Sequence, residues 1–293
     1  MKIAYRLISV IITLILISSF VDKSYSGNII VDPSLGNDNS GNGTLNNPYK
    51  TLWKAGQIAV GGDSVLIRGG HHQSFRDIFI RINPHTSSKI FIMPYNHEQV
   101  ILDGTGHQFE ATWDAILTID SSRYIEVRDL VIMNNDSGPG LRVVSDSNWS
   151  SPGAIYITRF VNVVNCKTFN TNNQGILIQA KNVNVDSCEV GYAVLSNEGQ
   201  KSNSGWGSAL CTYPFPLSMG RCDSVNFRNN YVHHSWGEGI AQIRGNQYTI
   251  ENNKIVDCFS AYIYSDNCKN GIIRNNTMQS TNDAYNRTFD AGY

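Results

Sequence analysis

The chain has 293 residues and a formal net charge of −1, and charged residues make up 16% of it, against a usual figure of about 25%. A nearly neutral chain of this kind has no electrostatic reason to bind nucleic acid. Its 32 asparagines and 25 glycines are typical of a repetitive β-structure that contains many tight turns.

Residues 1–26 have the pattern of a secretory signal. Lys2 and Arg6 precede an apolar run over residues 7–20, and small residues stand before a cleavage site after Ser26. The apolar run is short for a membrane span, which needs about 20 residues. An uncleaved membrane anchor is the alternative interpretation.

Cleavage after residue 26 would leave 20 basic and 23 acidic residues, a net charge of −3. We therefore expect a secreted or periplasmic protein that binds neither nucleic acid nor, after cleavage, the membrane. We also expect a monomer.

Residues 27–62 are predicted to form a polar loop followed by a helix. The helix is expected over Pro48–Val60, with four apolar residues on one face, namely Leu52, Ala55, Ile58 and Ala59. One amphipathic helix in front of a repeat region is typical of a cap that covers the first repeat.

A repeat runs from about Tyr124 to Met278. We mark it by the sixth position of each unit, which is occupied by Leu130, Cys166, Cys188, Asn230, Asn253 and Asn276. The successive gaps are 36, 22, 42, 23 and 23 residues, so the unit is 22 to 23 residues and the long gaps contain insertions. A fixed period of this length predicts stacked structural repeats.

Apolar residues alternate within each unit, which predicts strands. Three residues before the marker stand Val127, Val163, Val185, Phe227, Ile250 and Ile273. Strands this short have no local partner, so they must pair with the next coil, and the prediction is an all-β parallel β-helix. A leucine-rich repeat is the alternative at this period, but its leucine pattern is missing. Asparagines at the marker are expected to form a hydrogen-bonded ladder along the coils.

The predicted β-helix occupies residues 63–293. After Met278 the sequence offers no amphipathic cap, and terminal repeats usually cover the open end of such a core. We therefore expect that C-terminal coils are missing from this sequence.

Three segments, GWGSAL, NNYVHHSWGEGI and NNKIVDCFSAYIYSDN, resemble the right-handed parallel β-helix proteins of the pectate-lyase-like, or pectin-lyase-fold, superfamily. The resemblance covers nearly all of the mature chain and implies a right-handed β-helix. The superfamily contains lyases, hydrolases, epimerases and non-catalytic surface proteins. The resemblance implies an exported protein that binds or cleaves polysaccharide or a cell-surface glycan. The specific candidate is a lyase that acts on uronate-containing glycans. The alternative is a non-catalytic surface, adhesion or structural solenoid.

Residues at one offset from the marker line up on successive coils, about 4.8 Å apart. This arithmetic predicts three columns, which are Trp206–Trp236–Phe259, Ser204–His234–Asp257 and Ser208–Glu238–Ala261. We therefore expect His234, Asp257 and Glu238 to converge on one edge beside an aromatic stack.

Such an edge suits a carbohydrate site, in which aromatic faces stack on sugar rings and ionisable groups transfer protons. The predicted catalytic residues are Glu238, His234, Asp257 and Arg244, with Arg244 placed to bind a uronate carboxylate. The predicted substrate-binding residues are Trp206, Trp236, Phe259, Tyr264 and Asp266. A purely structural aromatic stack with a His–Asp hydrogen bond in a turn is the alternative.

A lyase of the pectate-lyase type would add a Lys or Arg base and a calcium ion held by carboxylates. The resemblance points to Lys254 and Lys269 as bases and to Asp257 and Asp266 as nearby carboxylates. The sequence matches no calcium-binding Asp cluster residue by residue, and no Cys/His set has zinc spacing.

All six cysteines lie in the part expected to be exported. Cys166 and Cys188 occupy the marker column and are predicted to be buried thiols. Cys211–Cys222 is the best disulfide candidate, and Cys258–Cys268 is a second pair.

Overall fold

The computed structural model describes residues 27–73, 78–80, 88–109, 111, 113–145, 158–201, 206–214 and 220–285. The predicted signal, Ser204 and parts of the two long gaps between markers lie outside these residues.

The regular secondary structure of the described chain is almost entirely β-strand. The strands, in chain order, are β1 (Asn28–Val31), β2 (Ser64–Ile67), β3 (Gly70–His72), β4 (Ile78–Ile80), β5 (Ile90–Pro94), β6 (Val100–Asp103), β7 (Leu117–Asp120), β8 (Arg123–Arg128), β9 (Leu130–Asn135), β10 (Leu141–Val144), β11 (Arg159–Val164), β12 (Lys167–Thr171), β13 (Ile176–Gln179), β14 (Lys181–Asp186), β15 (Glu189–Gly191), β16 (Ser208–Thr212), β17 (Cys222–Asp223), β18 (Val225–Arg228), β19 (Tyr231–Ser235), β20 (Glu238–Ile243), β21 (Gly245–Asn246), β22 (Thr249–Glu251), β23 (Lys254–Cys258), β24 (Ile263–Asp266), β25 (Ile272–Arg274) and β26 (Thr277–Gln279).

The strands form three long parallel sheets. Sheet A has the order β1-β2-β5-β8-β11-β14-β18-β22-β25, sheet B the order β4-β7-β10-β13-β16-β20-β24, and sheet C the order β3-β6-β9-β12-β15-β19-β23-β26. From β2 onward, each turn of the chain adds one strand to each sheet, so that consecutive strands lie in different sheets. The short strands β17 and β21 pair separately with each other. The predicted parallel β-helix is thereby confirmed.

The core lies between the three sheets and consists of side chains stacked in columns. The column three residues before the marker is in register from Val127 to Ile273. Its first five members are fully buried. Because each inward position repeats on the next coil, the alternation in the sequence translates directly into a continuous apolar core.

The marker column forms the expected asparagine ladder at the turn between sheets A and C. Asn253 donates through Nδ2 to Asn276 Oδ1 at 2.9 Å, and Asn230 does the same to Asn253 at 3.0 Å. The same oxygens also accept the backbone N–H groups of the preceding coil, and Asn230 Oδ1 accepts the N–H of Cys188 at 2.9 Å. The ladder therefore satisfies the inward-facing polar groups of this turn.

The N-terminal helix α1 spans Leu52–Ile58 and is shorter than predicted. It begins after Thr51, whose Oγ1 accepts the N–H of Lys54 at 3.2 Å. The preceding residues are held by β1 and the loop instead, since Tyr49 N–H donates to Ile30 O and Lys50 N–H donates to Asp38.

The inner face of α1 covers the first strands, as a cap would. Leu52, Ala55 and Ala59 join the core cluster that includes Val31. Ile58, which was predicted on this face, is 40% exposed, and that part of the prediction is wrong.

All six cysteines are free thiols in the structure, so the predicted Cys211–Cys222 and Cys258–Cys268 disulfides are wrong. Cys211 packs on the outer side of sheet B with Leu177 and Ala241, whereas Cys222 belongs to the main core. The thiols of Cys211 and Cys222 therefore lie on opposite sides of the sheet wall. Cys166 and Cys188 are buried in the marker column, as predicted.

Candidate functional site

A cleft of about 450 Å³ lies on the outer face of sheet B. Cys211 lines its floor and belongs to the outward-facing column Leu177–Cys211–Ala241, which is in register across β13, β16 and β20. These three residues are buried and form a small apolar cluster separate from the main core. The sheet therefore carries apolar side chains on both faces at this place, which is unusual for a face turned toward solvent.

Aromatic side chains form the walls of the cleft. Trp113 and Tyr213 are stacked, with ring centroids 6.0 Å apart and planes at 11°. Trp206 meets Phe259 edge to face at 5.2 Å. Tyr264 stands at the rim and is 42% exposed. The cleft thus offers several flat apolar faces at different angles.

One edge of the cleft is a polar column. The register of β13, β16, β20 and β24 places Gln174, Ser208, Glu238 and Ala261 at equivalent positions on four successive coils. Glu238 Oε1 accepts a hydrogen bond from Trp206 Nε1, and Oε2 accepts one from Ser208 Oγ, both at 2.9 Å. Glu238 is therefore held in place by two donors from the coil before it.

The turns that lead into this column are packed against one another. A Cβ added to Gly237 would lie 1.9 Å from the carbonyl oxygen of Gly207. Only glycine permits this approach. The close approach of Gly237 to Gly207 thus fixes the distance between the two turns from which Ser208 and Glu238 follow.

Gln174 has an unusual environment. The residue lines the cleft and is 5% exposed, yet its Oε1 is buried without a hydrogen-bond partner. A buried acceptor without a partner costs about 1–3 kcal/mol. Such a group needs either a compensating ligand or another explanation.

Glu238 is the sole charged side chain among the described residues that line the cleft. The nearby Arg142 is directed elsewhere, because its Nε donates to Gln179 Oε1 at 2.7 Å and its Nη1 to Trp113 O at 3.2 Å. Burial lowers the pKa of Arg142, and Asp120 and Asp114 oppose this effect.

A second group of polar residues lies on the outer face of sheet C. We call it the histidine cluster, and it consists of Lys167, Glu189, His233, His234 and Asp257. Neighbouring members are joined by Lys167 Nζ–Glu189 Oε2 at 2.7 Å, Glu189 Oε1–His233 Nε2 at 3.4 Å, His233 Nδ1–His234 Nδ1 at 2.8 Å and His234 Nε2–Asp257 Oδ2 at 3.9 Å.

The two imidazoles of the cluster are enclosed by rings. Tyr192 stacks on His234 at 5.0 Å, and Tyr231 stacks on His233 at 4.5 Å. Burial lowers the pKa of His233, helped by the charge of His234 and opposed by Glu189. The short Nδ1–Nδ1 contact requires one ring to donate and the other to accept, so the pair disfavours double protonation.

Asp257 accepts hydrogen bonds from the segment that follows β26. The Oγ1 of Thr281 donates to it at 2.6 Å, and the N–H groups of Thr281 and Asn282 donate at 2.5 and 3.0 Å. Burial opposes its ionisation, but these bonds and His234 outweigh burial and hold the pKa of Asp257 below its usual value. Asp257 therefore fastens the last described segment to the coils.

The backbone register predicted for the three columns is correct. Residue 206 is equivalent to residues 236 and 259, residue 234 is equivalent to residue 257, and residue 208 is equivalent to residues 238 and 261. The side chains nevertheless divide into two groups. Glu238, Trp206 and Tyr264 line the cleft, with Phe259 behind Trp206.

The other predicted site residues lie elsewhere. His234 and Asp257 belong to the histidine cluster, and Trp236 packs on Tyr285 with centroids 4.6 Å apart. Arg244 follows β20 in a left-handed conformation, and its N–H donates to Asp266 O. The Asp266 carboxylate accepts a hydrogen bond from Asn267 Nδ2 at 3.0 Å.

The carboxylates suggested for calcium do not fit that ion. The oxygens of Asp257 are occupied by N–H and O–H donors, and Asp266 accepts from an amide. Within the described ranges, no three His, Cys, Asp or Glu side chains are grouped so that they could hold a metal ion. Lys254, proposed as a base, extends over the ring of Tyr231 at 5.2 Å.

Sequence reasoning missed Gln174, Trp113 and Tyr213. Gln174 could have been found, because it occupies the Ser208–Glu238 column one coil earlier. Trp113 and Tyr213 lie in connecting segments outside the repeat, where counting from the marker gives no position.

No family model matches the chain. Its structure is similar to the GH136 lacto-N-biosidase from Eubacterium ramulus, with a TM-score of 0.59 and 16% identity over 88% of this chain and 52% of that one. It is also similar to the alginate lyase from Paenibacillus sp. str. FPU-7, with a TM-score of 0.57 and 12% identity over 86% of this chain and 76% of that one.

A part of the sequence is similar to a pectate lyase. Over 133 residues, 42% of this chain and 32% of the relative, it is 28% identical to pectate lyase PEL9 of Emericella nidulans. The chain thus spans about half of the lacto-N-biosidase and a third of this pectate lyase.

These likenesses define the fold. The chain has a parallel β-helix fold, which it shares with this lacto-N-biosidase and this alginate lyase. No helix within the described residues is long and apolar enough to cross a membrane.

Proposed function

We propose that this protein binds a glycan in the cleft on sheet B. The observation that carries the proposal is the combination of an apolar floor, aromatic walls and one polar edge in a single open cleft. Carbohydrate rings have apolar faces and hydroxyl-bearing edges, so they match flat aromatic walls beside a row of polar groups. Binding sites for small molecules typically have this composition.

Each part of the cleft has a role in the proposal. The rings of Trp206, Tyr264 and the Trp113–Tyr213 pair stack on sugar faces. The carboxylate of Glu238 accepts hydrogen bonds from sugar hydroxyls.

The predicted export places this binding outside the cell. Residues 1–26 have the pattern of a signal, and we propose that the mature protein is secreted or periplasmic. Its partner would then be a polysaccharide or cell-surface glycan.

Cleavage of a uronate-containing glycan by a lyase mechanism is a second candidate. The partial likeness to a pectate lyase and the structural likeness to an alginate lyase favour it. In this candidate Glu238 is the ionisable group that touches the substrate, and Arg244, beyond the other end of β20, binds a uronate carboxylate. His234 and Asp257 would act from the histidine cluster.

The substitution Glu238→Gln tests the role of the cleft. It keeps the shape and removes the charge, so glycan affinity should fall about tenfold while the melting temperature stays nearly unchanged. Binding is measured by calorimetry over a glycan panel, and cleavage by ultraviolet absorbance of unsaturated uronides. Absorbance that rises with the parent chain and disappears in the variant would support the lyase.

Glu126→Gln is the matched control. Glu126 lies on sheet A and also accepts hydrogen bonds from two side chains, those of Lys89 and Asn162. The Glu126→Gln variant should bind glycans with the affinity of the parent chain. A Glu238→Gln variant that binds or degrades every responsive glycan like the parent would contradict the proposed role of the cleft. A parent chain that neither binds nor degrades any glycan of the panel would favour a non-catalytic structural solenoid.

A further inference from the structure

We infer that the amine of Gly27, released when residues 1–26 are removed, forms an ion pair with the buried carboxylate of Asp63 and fastens the first coil. The bond between Ser26 and Gly27 is then a processing site whose cleavage stabilises the fold. The inference rests on the proposed export and is independent of glycan binding in the cleft.

The first argument is the position of the Gly27 nitrogen. Its N–H donates to Asp63 Oδ1 at 2.9 Å, and Gly27 O accepts the N–H of Ser64, also at 2.9 Å. The residue is thus held on both sides by the start of β2. An ammonium at the same nitrogen lies within hydrogen-bond distance of the carboxylate, so the ion pair needs no rearrangement of the chain.

The second argument is the charge of Asp63, which is 5% exposed. Two other buried carboxylates near this end of the β-helix are each accompanied by a cation. Arg68 Nη1 lies 3.7 Å from Asp32, and Lys89 Nζ lies 2.8 Å from Glu126. Among the described side chains, no Lys, Arg or His forms an ion pair with Asp63. Buried charges are normally paired, and the amine of Gly27 supplies the partner.

The third argument is the place of Asp63 in the fold. The N–H of Val60 donates to Asp63 Oδ2 at 2.8 Å, and the N–H of Asp63 donates to Val60 O at 3.0 Å. These bonds close the turn between α1 and β2. The strand β1, which begins directly after Gly27, is the edge strand of sheet A and pairs with β2. The ion pair therefore joins the start of the edge strand to the turn that follows α1.

The cleavage is a hydrolysis catalysed by a signal peptidase of the exporting cell. Water adds across the Ser26–Gly27 bond, so that Ser26 leaves as a carboxylate and Gly27 keeps an amine that takes up a proton. An α-amino group in a peptide has a pKa of about 7.7–8.0, and a nearby carboxylate favours its charged form. Before cleavage the same nitrogen is a neutral peptide N–H. Cleavage therefore adds Coulomb attraction to an existing hydrogen bond.

The exported protein tests the processing site directly. The full 293-residue chain is expressed with export, and mass spectrometry of the purified protein identifies its first residue. We expect Gly27, and a different first residue overturns the inference.

The reactivity of the amine tests the ion pair in the same protein. The acylation rate of the Gly27 amine near pH 7.5 is compared with that of a synthetic peptide of residues 27–31. The amine of the folded protein should react about tenfold more slowly, because the carboxylate holds it in the protonated form, which does not react. Equal rates overturn the inference.

An insertion separates the amine from Asp63. A leucine inserted between Ser26 and Gly27 leaves the small residues in front of the cut unchanged, so the exported variant begins at the leucine, and Gly27 contributes a neutral N–H. Asp63→Asn is then made in the parent and in the insertion variant. It should lower the melting temperature by about 2–4 °C more in the parent, where the ion pair is also lost.

Asp38→Asn is the matched control. Asp38 also accepts backbone N–H groups near the start of the chain, those of Lys50 and Thr51, and it should lower the melting temperature equally in both backgrounds. Equal losses for Asp63→Asn in the two backgrounds overturn the inference. A difference for Asp38→Asn as large as that for Asp63→Asn also overturns it, because the leucine would then act on the whole loop. Each of these outcomes leaves glycan binding in the cleft standing.

Discussion

The cleft on sheet B and the histidine cluster on sheet C lie on outer faces of the same coils, and both contain aromatic and ionisable residues. They differ in how their polar groups are satisfied. In the cluster each ionisable group meets another, from Lys167 through to Asp257. In the cleft the Gln174 oxygen has no partner and the floor is apolar.

This difference separates two roles that polar and aromatic residues can have on the outside of a β-helix, which are stabilisation of the fold and binding of a ligand. A network whose members satisfy one another is stable without a ligand and gains little from one. A surface with several aromatic faces beside an apolar cluster gains by binding a ligand that covers them. A His–carboxylate pair is therefore weaker evidence for a binding site here than aromatic rings that line an open cleft beside an apolar cluster.

The largest expected effect comes from the histidine cluster. Asp257→Ala removes the acceptor of three hydrogen bonds from Thr281 and Asn282. We expect the free energy of unfolding to fall by about 3 kcal/mol, with glycan affinity unchanged. Chemical denaturation and calorimetry measure the two quantities. Loss of affinity at parental stability would show that the cluster belongs to the binding site.

The next effect concerns two tyrosines of equal exposure. Tyr264 at the cleft rim is 42% exposed, and Tyr192 over His234 is 43% exposed. Tyr264→Ala should lower glycan affinity about tenfold through loss of ring stacking. Tyr192→Ala should leave affinity unchanged. Equal losses for both variants would abolish the distinction between the two surfaces.

The smallest effect is a pH dependence of stability. The pKa of His233 is lowered in the folded protein, chiefly by burial, from about 6.5 in the unfolded chain. Below pH 6.5 the unfolded chain therefore binds the proton more readily. The free energy of unfolding is therefore not reduced by His233 above about pH 6.5. As the pH falls below about 6.5, the free energy of unfolding decreases by at most about 1.4 kcal/mol per pH unit.

His233→Gln should flatten that slope between pH 7.5 and 5.5, as measured by denaturant unfolding at each pH. The residual slope comes in part from His72, whose pKa burial also lowers. His71→Gln is the control, since the His71 side chain is 61% exposed. An unchanged slope in His233→Gln would show that this imidazole does not report on folding.

The sequence determined the coils and their register. A strand repeats every 22 to 23 residues, and each coil adds one layer of fixed height. Counting from the marker therefore placed Trp206 beside Trp236 and Glu238 beside Ala261 correctly. The inward columns follow for the same reason, because alternation in a strand leaves only two faces.

Only the tertiary structure decided where the turn side chains point and what surrounds them. His234 and Asp257 have left-handed backbone conformations, and their side chains are oriented by Tyr192 and Thr281, which come from other segments. Trp113 and Tyr213 reach the cleft from connections whose length does not follow the repeat. Periodicity sets the position of a residue along the coil, whereas the contacts of its side chain depend on neighbours that the period does not describe.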